Sequence, residues 1–147
     1  MNFKLVIDEN AEECVSVVAH KKSTLTEKIE NIVMSYSGED EIAVYNSGEM
    51  KTVSFLDIEC VSVLAGKCEV IDKSGKHYNV RERLYEIEQK LPKYFIRINK
   101  SAIANERAIE RFKTGFGGGV TVEFKCGYSD YVSRRCFAEI KRRFKQK

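Results

Sequence analysis

Tryptophan is absent from this chain, proline occurs once and histidine only twice. His20 and His77 stand near no plausible nucleophile or carboxylate partner, so no Ser/His/Asp or Cys/His arrangement can be built on them. Zinc lacks ligands as well. The five cysteines (Cys14, Cys60, Cys68, Cys126 and Cys136) contain no Cys-x-x-Cys pair, and their number is odd. Most lie in apolar or alternating stretches, which reads as buried, reduced thiols of a cytosolic protein. No apolar run approaches the roughly 20 residues of a membrane-spanning helix. The first residues, "MNFKLVIDEN", turn acidic too early for a secretory leader, so the expected location is the cytoplasm. The stretch "GFGGG" at 115–119 lacks the Lys-Ser/Thr of a nucleotide loop and precedes a strand pattern. It reads as a flexible hairpin connection. No catalytic residue, cofactor or metal site is expected, and the chain does not read as an enzyme.

What the chain does carry is charge, unevenly spread. Of 147 residues 43% are hydrophobic and 32% charged, a balance that suits a globular protein with one ordinary core. The formal net charge of +3 divides into two unlike parts. Residues 94–147 hold 13 Lys+Arg against 5 Asp+Glu, a balance of +8, and residues 1–93 hold 12 against 17, a balance of −5. A solvated helix face would account for some of this. The sharper reading is a polyanion-binding face concentrated in the last third of the chain.

The apolar pattern predicts a β-rich α+β fold with short connections. Residues 2–8 and 14–20 alternate as two short strands around an acidic turn, and "STLTEKIENIVMSY" follows as a helix with Thr24 and Glu27 as its capping box. "SGED" at 37–40 breaks the chain. Strand patterns then crowd together at 42–46, 50–55, 58–65, 67–72 and 76–80, with turns at Ser47-Gly48, Gly66 and Ser74-Gly75. A helix over 81–92 places Leu84, Ile87 and Leu91 on one face and stops at Pro92. Strands over 94–98, 120–125 and 128–132 precede a last helix that directs Phe137, Ile140 and Phe144 inward and Lys141, Arg142, Arg143 and Lys145 outward. The boundary is drawn at residue 40: a strand–strand–helix segment over 1–40, then one domain over 41–147.

Two stretches invite a binding role. In "FIRINKSAIANERAIERF", the strand ending at Ile98 is followed by Asn99, Lys100 and Ser101, a short apolar turn, and Asn105. Asn105 reads equally well as a left-handed cap of one helical turn, which asparagine tolerates. The other stretch is "YVSRRCFAEIKRRFKQK" at 131–147. Ser133 has the look of a helix N-cap, yet Arg134 and Arg135 fill the first turn, where the helix dipole disfavours cations by a few tenths to about 1 kcal/mol each. A polyanion opposite that turn would reverse the preference.

In order along the chain, "SFLDIECVSV", "YNVRERLYEIEQKLP", Arg97-x-Asn99-Lys100-Ser101-Ala-Ile-Ala-Asn105, Ile109, the glycine-rich hairpin and Val132-Ser133-Arg134-Arg135 with a basic helix resemble the LytTR family. The resemblance covers residues 42–147 nearly end to end. It implies a bacterial transcription regulator whose β-rich domain binds double-stranded DNA, its loops entering successive major grooves on one face. Carried over, it implies DNA contacts at Lys67, where some members carry histidine, at Asn105, and at Arg135 with Arg134 beside it. Arg97, Asn99, Lys100, Ser101, Ser133, Lys141 and Arg142 complete the expected DNA-binding set. Many members carry a phosphoacceptor receiver before this domain. The roughly 40 residues here are too few for one, which implies the short, stand-alone type, controlled by abundance, self-association or a partner. Some such members are paired with a small membrane protein that opposes them.

Residues 1–38 hold six acidic residues against four lysines, a balance that argues against DNA contact. Val6, Val15, Val17, Ile29, Ile32 and Val33 are too few to form a core alone. The segment is therefore expected to form a homodimer, setting two domains on repeated half-sites. Two other classes remain open on the residues alone. One is a single-stranded RNA binder stacking bases on Tyr94, Phe95, Phe116 and Tyr131, and the other is a protein-interaction module steered by a basic tail.

Overall fold

The computed structural model describes residues 2–36 and 40–145. The expected break at 37–40 therefore falls largely outside the described residues. Residues 2–23 hold no strand, and the first element is helix α1, Thr24–Ser35. Its cap lies one residue earlier than expected: Ser23 Oγ accepts from Thr26 N, and Thr26 Oγ1 accepts from Ser23 N. The two predicted N-terminal strands do not form. Alternation alone cannot hold a strand, because its backbone groups need a neighbouring ladder. None is supplied here, and Phe3, Leu5, Ile7, Val15 and Val18 all stand exposed.

Ten strands and two further helices follow: β1 Glu41–Asn46, β2 Glu49–Ser54, β3 Ile58–Leu64, β4 Lys67–Asp72, β5 His77–Asn79, α2 Leu84–Lys90, β6 Phe95–Asn99, β7 Ala102–Asn105, β8 Ile109–Thr114, β9 Val120–Phe124, β10 Ser129–Val132 and α3 Arg134–Lys145. Seven strands make one antiparallel sheet in the order β2-β1-β5-β4-β3-β7-β6, and β10-β9-β8 make a second. The architecture is β-rich α+β, as expected. Strands β7 and β8 are additions to the sequence reading. The four residues of β7 are too few to display a period, yet β7 joins β3 to β6 and every one of its residues is buried.

Two apolar clusters lie on opposite faces of the large sheet. Val44, Phe55, Val61, Val70 and Ile103 pack beneath Leu84 and Ile87 of α2. Cys60, Ile71, Ile98, Ala102 and Ala104 pack against Val122 and Phe124 of the small sheet and Ile140 of α3. The central strands are therefore covered on both sides, which is why β3 is buried over five consecutive residues rather than every second one. A bulge between Ile58 and Cys60 directs Glu59 toward the second sheet, where its Oε1 accepts from Cys126 N at 2.8 Å. Of the cysteines only Cys60 is buried. Cys68, Cys126 and Cys136 are half-buried, and Cys14 is exposed because the strands expected around it do not form, a correction to the sequence reading.

Candidate nucleic-acid interface

Three projections meet at one edge of the molecule, and the hydrogen bonds that align them can be followed strand by strand. The β3–β4 hairpin turns at Ala65-Gly66, and Ala65 takes a positive φ of 51°. That conformation costs an alanine about 1–2 kcal/mol. It gives a two-residue turn whose twist suits the flanking strands and leaves Lys67 exposed beside the tip. Ser62 pairs with Ala102, and Val63 N donates to Ser101 O at 2.8 Å, so the β6–β7 turn stands next to this hairpin. Lys100 is the exposed residue of that turn. On the far side of β6, Asn99 Nδ2 donates to Tyr131 O and Ser133 N donates to Ile98 O, both at 2.8 Å, which brings the start of α3 alongside.

The expected contact residues fall into two groups once burial is known. Lys67, Lys100, Arg134, Arg135, Lys141 and Arg142 are exposed. Among the described residues, Lys67, Lys100, Arg134 and Arg135 make no ion pair, whereas Arg142 pairs with Glu139. The Lys141 ammonium lies 4.5 Å from the centre of the Phe137 ring.

The other five are committed to the chain itself. Asn99 is 1% exposed; its Oδ1 accepts from Ser101 N at 2.7 Å while Nδ2 reaches Tyr131 O. Asn105 is 4% exposed; its Nδ2 donates to Ile58 O at 2.9 Å and its Oδ1 accepts from Arg107 N at 3.0 Å. Asn99 and Asn105, expected from the sequence to contact DNA, thus have both amide atoms engaged within the chain. The capping alternative for Asn105 survives in altered form, since it caps the single turn Glu106–Ala108 from extended rather than left-handed backbone. Arg97 pairs with Glu88 of α2 and donates from Nη1 to Lys100 O at 2.8 Å. Ser101 lends its backbone to the turn, and Ser133 caps α3 with Oγ accepting from Cys136 N at 3.2 Å.

Helix α3 is held from both ends. Ser133 anchors its start, and near its end Arg143 donates to Lys93 O and to Glu106. The sequence pattern puts Arg143 among the solvated cations and Phe144 in the core; Arg143 is half-buried, and Phe144 is 43% exposed with its ring 6.2 Å from that of Phe112. With no acidic residue in the first turn of α3, Arg134 and Arg135 face outward from a helix end already partly positive. Such a concentration of donors suits anions and guanine edges. The base-stacking alternative loses a member here, because Phe95 is buried in the core beneath α2.

Sequence reasoning missed one feature of this face. A groove of about 690 Å³ runs between α3 and the β8–β9 hairpin, lined by Lys145 as well as by Arg134, Lys141 and Arg142. The basic helix and the glycine-rich stretch were each visible in the sequence, but not their adjacency.

The comparisons with known proteins agree with this geometry. A family model described as LytTr DNA-binding domain matches residues 48–145. A protein of Staphylococcus aureus strain bovine RF122 / ET3-1, named an uncharacterized HTH-type transcriptional regulator, is 29% identical over 144 residues, covering 97% of each chain. A protein of the same name from S. aureus strain NCTC 8325 / PS 47 is also 29% identical, with the same coverage. Among solved structures, a LytTr DNA-binding domain from Bacillus cereus superposes with a TM-score of 0.65 at 20% identity, covering 71% of this chain and 96% of that one. The helix-turn-helix in the relatives' name has no counterpart among the described residues, since strands separate every pair of successive helices. This chain belongs to the LytTR family of DNA-binding domains.

Proposed function

We propose that this protein is a transcription regulator that reads double-stranded DNA sequence-specifically from three neighbouring projections. Lys67 beside the β3–β4 hairpin tip, Lys100 on the β6–β7 turn and Arg135 at the start of α3 approach the base edges. Arg135 is suited to the bidentate O6/N7 edge of guanine, and Arg134 stands next to it. Lys141 and Arg142 hold phosphates, which fix register without reading sequence. Arg97, Asn99, Ser101, Asn105 and Ser133 position the three projections rather than touch DNA. The observation that carries this reading is the set of unpaired cations on three separate elements, aligned along one edge by the bonds through Ser101, Asn99 and Ser133.

Residues 2–36 are proposed to control the domain by self-association. Val15, Val18, Leu25 and Met34 are exposed there, and a second copy would cover them. Two domains so joined would engage half-sites about 10–10.5 bp apart, or a multiple of that spacing, on one face of the duplex. A small membrane protein docking on the same residues is the other means of control the family resemblance suggests.

Binding to a duplex recovered from a random pool, measured across salt concentrations, tests the main reading. Each phosphate neutralised contributes about −0.9 to the log–log slope. A steep negative slope is the expected result. A slope near zero would sink the proposal.

A further inference from the structure

The β8–β9 connection is built almost entirely of glycine. Gly115 N donates to Gly119 O at 2.8 Å and Gly118 N donates to Gly115 O at 3.2 Å, closing a tight loop. Gly117 and Gly118 both have φ of 82°, so the closure depends on residues without a side chain. The one side chain in this loop is Phe116, and it is fully exposed. Three residues before the loop, Phe112 packs with Phe137 and Phe144 at ring separations of 5.6 and 6.2 Å. Phe116 joins neither that cluster nor either core.

The loop forms one rim of the groove described above. Gly118 and Val120 lie on the hairpin wall, with Arg134, Lys141, Arg142 and Lys145 on the helix wall, and among the described residues no carboxylate lines the space. A groove with cations along one wall and backbone and apolar atoms along the other suits a phosphodiester strand: the cations meet the phosphates, and the apolar side meets the sugars. A strand seated there brings the bases of its duplex up to the glycine loop, whose one side chain is a phenyl ring. Exposed apolar side chains in that position act as wedges. They enter a base step from the minor groove, partly unstack it and bend the duplex toward the major groove. Glycines on both sides of Phe116 let the backbone approach the DNA closely.

We propose that one strand of the duplex lies in the groove between α3 and the β8–β9 hairpin, and that Phe116 inserts into the adjoining base step and kinks the DNA. This deepens the DNA-binding reading given above and rests on it. It also explains a side chain that nothing in the fold requires.

The test uses the intact protein and fragments of equal length carrying, at different positions, a duplex that the intact protein recovers from a random pool. A bend makes the mobility of the complex depend on the position of the site. The expected result is clear dependence for the native protein, loss of it for Phe116→Ala, and its return for Phe116→Leu, which keeps an apolar wedge. Phe116→Ala should keep the native salt slope, because the cations are untouched. If Phe116→Ala bends the duplex as the native protein does, or if the native complex shows no bend, the wedge is refuted while duplex binding stands. Recovery of single strands in preference to duplex would overturn both readings and assign the ring to stacking on unpaired bases.

Discussion

Replacing Asn105 by alanine separates a structural from a DNA-reading role, and the two make opposite predictions. The amide holds two elements at once. Its Nδ2 donates to the carbonyl of Ile58, a residue with no exposed surface at the start of β3, and its Oδ1 caps the turn Glu106–Ala108. Removing the first bond strands a buried carbonyl, which costs about 1–3 kcal/mol. Removing the second loses a cap, typically about 1 kcal/mol. Together they predict a destabilisation of about 2–4 kcal/mol. Against a domain stability of about 5–15 kcal/mol this should leave a folded but weakened protein. Urea unfolding of both proteins, followed by far-UV circular dichroism, gives the difference directly. Binding to the selected duplex should then be measured well below the unfolding transition, where it should be close to native. A variant that unfolds at the native urea concentration yet loses specific binding would refute the reasoning and return Asn105 to the DNA.

The other predictions concern reading, acid stability and assembly. Arg135→Ala should cost about 1–3 kcal/mol and relax preference at one base pair, whereas Lys141→Ala should weaken all sequences alike; selection with each variant distinguishes these outcomes. Burial of the Asp72 carboxyl favours its neutral form, but hydrogen bonds from Ser74 and Lys76 outweigh this and hold its pKa below the ordinary value. A depressed carboxylate stabilises the fold above its unfolded pKa of about 3.9 and loses that contribution as pH falls through the folded value. Asp72→Asn should therefore lower stability at neutral pH and flatten the acid limb of the unfolding curve; an unchanged acid limb would count against the assignment. Among the described residues, deleting 1–38 removes nothing from either apolar cluster. The remaining domain should stay folded, sediment as a monomer and bind without dependence on half-site spacing. Native-strength binding to the full site by the truncated protein would exclude self-association as the role of the segment.

The sequence by itself determined the class of fold, the location of the basic surface and the family pattern. These depend on properties that neighbours in the chain carry together: alternation in β9, the 3.6-residue period of α2, turn residues such as Ser47-Gly48 and the charge balance of residues 94–147. Ser133 was legible as a cap for the same reason, since its partner Cys136 N lies three residues away. What only the tertiary structure decided was every question of burial and partnership across long separations. Whether 2–8 and 14–20 become strands depended on a neighbouring ladder, and none forms. Strand β7 is four residues long and exists because β3 and β6 flank it. Asn99 and Asn105 look in sequence like the exposed amides of a binding loop. Their partners, Tyr131 and Ile58, lie 32 and 47 residues away, and those long-range bonds turn the side chains inward. Lys100 and Arg135 carry no such tie, so their charges remain at the surface. Local pattern fixes which residues can form an element, but the free energy of burying a polar group depends on what stands opposite, and only the folded chain supplies that.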